Sequence, residues 1–150
     1  MIPRFRAWDK KYKMMMKVNQ IDCEKRTVWL EADNGDHEMR HTLTRNLTDI
    51  ELMQFTGLKD KNGVEIFEGD IALITHKSTN YADTYWHSYV EVFRAENGAY
   101  RIRGEHIYET ELYSSRKQLT VAGNIYNSPE LLKRDRFMTT TENPELLEVE

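Results

Sequence analysis

The amino-acid sequence predicts a mainly β protein. Three Asn-Gly pairs, at 34–35, 62–63 and 97–98, stand between strand-like segments. Asn and Gly tolerate the positive φ of a tight reversal, so such pairs mark hairpins. A second observation is the unbroken apolar run Ile71-Ala72-Leu73-Ile74 directly after Gly69-Asp70, suited to a buried strand.

In chain order, residues 2–8 alternate so that Arg4 and Arg6 point opposite to Phe5. Asp9-Lys10-Lys11 reads as a turn, and residues 12–18 follow as a strand containing Met14, Met15 and Met16. A methionine cluster suits an irregular core, and less often an adaptable binding surface. Residues 25–30 form the next strand. With Asn34-Gly35 as its loop, Leu30 falls opposite Met39 and Val28 opposite His41, and Val28, Leu30, Met39 and Leu43 share an inward face. Residues 48–54 fit either a helical turn or an edge strand.

The central unit spans residues 53–74. Gly57, Asn62, Gly63, Gly69 and Asp70 are its structural markers, with Asp60 supporting the Asn62-Gly63 turn and Asp70 ordering the entry to the apolar strand. Residues 76–85 are polar and aromatic without a clean period, which predicts a mobile loop. Residues 89–93 and 100–103 flank Asn97-Gly98 as a further hairpin. Residues 105–113 fit a short helix or a connection, and 118–126 supply a last strand. Asn127-Ser128-Pro129-Glu130 has the pattern of a helix start. Asn143–Leu147 (NPELL) echoes Ser128–Leu132 (SPELL), which two Pro-initiated turns suffice to explain.

Thr56–Gly63 (TGLKDKNG) and Glu65–Ile71 (EIFEGDI) resemble the signature of the YopX family of phage and prophage proteins. Phe5–Asp9 (FRAWD) and Val121–Leu132 (VAGNIYNSPELL) fit the same family. The resemblance implies a phage-related bacterial origin and a mostly β fold, an SH3-like barrel core with small α/β additions. It implies no catalytic activity. The corresponding division is a YopX-like region over 1–132, with an N-terminal β subdomain (1–50) and a barrel (51–132). Residues 133–150 follow as an acidic tail or short helix.

The chain of 150 residues carries a formal charge of −4, which does not suit a general polyanion binder. Cys23 is the single cysteine, so no intrachain disulfide forms, in keeping with a reducing compartment. The first residues lack the apolar run of a signal peptide and no stretch approaches a membrane span. The expectation is a cytoplasmic protein of a bacterial host cell, without membrane contact or cofactor.

Candidate chemistry is sparse. His37-Glu38-Met39-Arg40-His41 matches H-E-x-x-H, in which two histidines one helical turn apart hold zinc and the glutamate acts as base. The flanks favour a strand, which would separate the two imidazoles by about 13 Å and defeat joint ligation. A zinc metallopeptidase is thus the remote alternative. No phosphate loop, dinucleotide fingerprint or nucleophile elbow is present. Arg4, Arg6, Lys11 and Lys13, interleaved with Phe5, Trp8 and Tyr12, form a candidate nucleic-acid surface. Tyr81, Tyr85, Trp86 and Tyr89 form a candidate protein-binding surface. The sequence favours a non-enzymatic interaction module whose partner is a phage or bacterial protein or a second copy of the chain. Nucleic-acid binding is the alternative.

Overall fold

A computed structural model describes residues 4–32 and 41–144. The chain divides into two compact units, Met1–Phe55 and Thr56–Glu150. Among the described residues the fold is mainly β, with two antiparallel sheets and one short helix.

The first unit contains β1 (Phe5–Asp9), β2 (Met14–Asp22), β3 (Thr27–Ala32), β4 (His41–Asn46) and the start of β5 (Ile50–Lys59). They pair antiparallel in the order β4-β3-β2-β1-β5. Alternation assigns the faces. Ala7, Met16, Val28, Leu30, Ala32 and Ile50 are buried together, with Met14, Val18, Ile21, Leu43 and Leu47 packed around them. Each fully buried aliphatic side chain stabilises the unit by about 1.5–3 kcal/mol. The methionines divide accordingly: Met16 is core, Met14 borders it, and Met15 pairs with Trp8 on the opposite face.

The register of β3 on β4 corrects the sequence expectation. Leu30 pairs with Leu43 and Val28 with Arg45, in place of Met39 and His41. The shift is an even number of residues, so Val28, Leu30 and Leu43 keep their common face although every partner changes. Asn34-Gly35 and Met39 lie outside the described residues. The ambiguous segment 48–54 resolves into a 3₁₀ turn at Leu47–Asp49 and the first half of β5, whose residues 50–54 pair with β1.

In the second unit β6 (Glu65–Phe67), β7 (Asp70–Lys77), β8 (Tyr85–Arg94), β9 (Tyr100–Gly104), β10 (Ile107–Glu111), α1 (Leu112–Ser115), β11 (Leu119–Asn124) and β12 (Phe137–Thr139) follow in sequence. The sheet order is β10-β9-β8-β7-β11, with β12 added to β8. Ile66, Ala72, Ile74, Val90, Val92, Ile102, Leu112 and Leu119 form its core. β10 and β11 end this order without pairing to each other, so the described sheet is open and not a closed barrel.

Several elements differ from the sequence reading. The expected mobile loop 76–85 is shorter: His76 and Lys77 extend β7 and pair with Trp86 and Tyr85. Their polarity reflects exposure beyond the edge of the core, not loss of the strand. Residues 105–113 give an edge strand leading into the four-residue α1. The strand ending at Asn124 is not the last, because the expected acidic tail contributes β12. No helix among the described residues is long and apolar enough to cross a membrane.

Candidate functional site

The central motif is held together by two buried aspartates. Asp60 Oδ1 accepts from the backbone N–H of Asn62 at 2.8 Å and of Val64 at 2.9 Å. Its Oδ2 accepts from Val121 N–H at 2.9 Å, tying the turn to β11. Gly63, at φ +82, closes that turn by donating to Asp60 O. Asp70 Oδ2 accepts from Phe67 N–H at 2.8 Å, and Gly69, at φ +86, donates to Val92 O. Gly57 also has positive φ, and Thr56 Oγ1 beside it donates to Ile66 O at 2.6 Å. The Val121–Leu132 motif is likewise architectural. Asn124 Oδ1 caps Tyr126 and Asn127 N–H, and Pro129 opens a 3₁₀ turn over Pro129–Lys133 where a helix start was expected. The Asp60 carboxylate, accepting three backbone N–H groups, has few lone pairs left for acid–base work.

Two buried polar arrangements escaped the sequence reading. Asp9 ends β1 fully buried, with Oδ1 at 2.9 Å from Arg45 Nε and Oδ2 accepting Tyr12 N–H at 3.1 Å. The Arg45 guanidinium also lies over the Tyr12 ring, 4.9 Å from its centroid. Burial alone pushes the Asp9 carboxyl up. The Arg45 hydrogen bond, the Tyr12 N–H and the guanidinium charge outweigh it and hold the group below its ordinary value. In the second unit His87 is buried between Thr75 Oγ1, 2.9 Å from Nδ1, and Thr139 Oγ1, 2.7 Å from Nε2. Thr139 Oγ1 donates its proton to Thr141 O, so it accepts from His87 Nε2–H, and Nδ1 accepts from Thr75. A contact only the fold creates, 36 residues apart for Asp9–Arg45 and 52 for His87–Thr139, leaves no local signal in sequence.

The candidate basic residues do not form one patch. Arg4 precedes β1 and stacks on Phe55 at 4.3 Å, whereas Lys11 and Lys13 lie in the turn beyond its far end. Arg6 is half-buried on the face of β1 shared with Trp8. Lys10 pairs with Glu51 at 3.2 Å.

The candidate aromatic residues are also divided. Tyr81 tops the β7–β8 connection and is 61% exposed. Ser78 orders this loop: its Oγ accepts from Asn80 and Tyr81 N–H, and its N–H donates to Thr84 O. Tyr85 and Tyr89 share one face of β8 and Trp86 points to the other. Arg136 stacks on Trp86 at 4.4 Å, and Arg134 lies 5.6 Å from Tyr89. The most exposed aromatic is Tyr108 on edge strand β10, at 96%. Tyr113 is exposed nearby in sequence, and Trp29 lies on the outer face of β3 beside a shallow recess of about 440 Å³ lined by Gln20, Thr27 and Thr44. None of these three was singled out from sequence, because alternation does not say which face is bare.

His41 begins β4 as an exposed strand residue, while His37 and Glu38 lie outside the described residues. Among the described residues no group of three His, Cys, Asp or Glu side chains is placed to hold a metal ion.

The YopX family model matches residues 4–133. This chain belongs to the YopX family. The matched span of this YopX protein covers the central motif and the Asn124 cap, both held by side-chain-to-backbone hydrogen bonds. A similar solved structure is that of protein EF1440 from Enterococcus faecalis, at 28% identity and a TM-score of 0.57. The similarity covers 88% of this chain and 99% of that one. None of the curated proteins compared with it matches.

Proposed function

We propose that this YopX protein is a non-enzymatic interaction module of phage origin that acts in the cytoplasm of a bacterial cell by contacting protein. Its second unit serves as an open, SH3-like scaffold. The observation that carries this reading is Tyr81, a large aromatic side chain held out to solvent on a loop ordered by Ser78. A pre-ordered aromatic loses little entropy on docking and supplies the desolvated anchor typical of protein interfaces. Tyr85, at the start of β8, follows that loop in the chain, and Trp86 and Tyr89 lie further along the same strand on opposite faces. The engagement of Asp9, Asp60 and Asp70 with backbone and Arg45 favours a binding role over catalysis.

The competing nucleic-acid reading needs Arg4, Arg6, Lys11 and Lys13 to act on one strand. The placement of Arg4 before β1 and of Lys11 and Lys13 beyond its far end weighs against it. Co-purification from prophage-bearing cells, with nuclease treatment, compares the two. Tyr81→Ala is expected to reduce recovery of the protein partner about tenfold, the loss expected for one anchor worth about 1.4 kcal/mol. Fluorescence anisotropy with single- and double-stranded DNA and RNA is expected to show no submicromolar affinity near 0.15 M salt, an order-of-magnitude threshold set by non-specific phosphate binding. Tight, salt-sensitive binding abolished by Arg4→Glu/Arg6→Glu would establish the nucleic-acid reading instead.

A further inference from the structure

β8 is ten residues long, and its neighbours on one edge share it. β9 pairs with Glu91–Arg94, while the other end of that edge, Tyr85–His87, is covered by β12. β12 lies in residues 137–139, beyond the family match that ends at residue 133. The edge it covers lies inside the match. A bare strand edge presents unpaired N–H and C=O groups and templates the addition of another strand.

We propose that the Tyr85–His87 edge is a strand-addition site, that residues 134–143 occupy it as an exchangeable strap, and that the occupant replacing the strap is the same segment of a second copy of this chain. Recognition is written in the contacts of the strap. Phe137 pairs with His87 and sets its ring 5.0 Å from the imidazole. Thr139 Oγ1 accepts from His87 Nε2 at 2.7 Å, Arg136 covers the Trp86 indole at 4.4 Å, and Asn143 Oδ1 accepts from Lys61 Nζ at 2.8 Å. These contacts combine backbone pairing with side-chain selectivity for the order Arg-Phe-Met-Thr, which a second copy supplies unchanged.

The strap is built to come away. Its ladder is three residues long, Met138 is half-exposed, and no strap residue belongs to the hydrophobic core cluster of the second unit. Short, exposed pairings open at a small fraction of the cost of the whole domain. Between the 3₁₀ turn ending at Lys133 and β12, residues 134–136 form a connection able to redirect the strand by about 10 Å when extended. Reciprocal exchange gives each copy the contacts it surrenders, so the assembly is a closed, isologous dimer.

The test uses the full chain and a fluorescent peptide of residues 134–144. Phe137→Asp is expected to loosen the resident strap, so the variant binds the peptide at least tenfold more tightly than the unmodified protein. A peptide carrying the same Phe→Asp change is expected not to bind. In the unmodified protein, two copies of different mass are expected to form a mixed dimer whose fraction rises with concentration, and Phe137→Asp in both copies is expected to abolish it. Circular dichroism confirms that the variant is folded, and Phe137→Ala repeats the comparison if it is not. Failure of a folded variant to capture the peptide would overturn the strand-addition site. Peptide capture without any mixed dimer would overturn the second copy as occupant. Neither readout depends on Tyr81, so Tyr81→Ala is expected to leave both unchanged whatever becomes of the protein-contact reading.

Discussion

Replacing Asp60 is the most direct way to ask whether the family motif is architecture. Its carboxylate receives three backbone N–H groups, from Asn62, Val64 and Val121, and the side chain is buried. Hydrogen bonds to a charged acceptor contribute about 1.5–3 kcal/mol each, and a buried donor left unsatisfied costs a similar amount. Asn62 and Val64 are exposed, so water replaces much of what their amides lose. Val121 N–H, half-buried on β11, has no such substitute at its Asp60 bond. Asp60→Ala is therefore expected to destabilise the second unit by about 3 kcal/mol, dominated by one full penalty and two partial ones. Asp60→Asn is expected to cost about 2 kcal/mol, since one face of the amide keeps an acceptor while its NH₂ confronts another donor. With a urea slope of about 1.5 kcal/mol/M, the alanine variant unfolds at a midpoint about 2 M lower. Tryptophan fluorescence measures the midpoint, and hydrogen exchange at Val121 reads the tether itself. A midpoint shift corresponding to under about 1 kcal/mol, with Val121 protection intact, would refute the reasoning that the carboxylate holds β11 to the turn.

Other outcomes test separate parts of the molecule. The Asp9 carboxyl is depressed in the folded state, so its stabilisation is complete above the unfolded value near 3.9 and disappears as pH falls through the lower folded value. Melting temperatures measured from pH 7 down to pH 2 are expected to fall more steeply for the unmodified protein than for Asp9→Asn; parallel curves would contradict this. Gly63→Val is expected to cost about 1–2 kcal/mol through its positive φ alone, because no atom lies within 4 Å of the added Cβ, whereas Gly63→Asn costs less. Gly104→Ala works by collision instead: its Cβ would sit 2.7 Å from Tyr89 O, and denaturation should show it more damaging than Gly63→Ala. Protein purified without an affinity tag is expected to hold no stoichiometric zinc by elemental analysis. Zinc lost in the His37→Ala/His41→Ala double variant would restore a metal site.

The sequence by itself determined the β class, the Asn62-Gly63 and Asn97-Gly98 reversals, the Asp60 and Asp70 turn supports, and the family. The reversals and turn supports rest on interactions within a few residues, where Asn, Asp and Gly carry their own conformational preferences. The even-numbered spacing also placed Val28, Leu30 and Leu43 on one face, but not in register, because alternation fixes parity and leaves the partner open. Tertiary structure alone decided the rest. Arg45 stands beside Asp9 because the Leu47–Asp49 turn carries the chain from β4 into β5, whose Ile50 pairs with Asp9 on β1. The basic residues that look clustered in sequence are divided between the two ends of β1, since an extended chain separates neighbours by about 3.3 Å per residue. The tail that reads as a loose acidic end becomes a strand at Phe137–Thr139, because the edge of β8 offers hydrogen-bond partners that no local sequence pattern records.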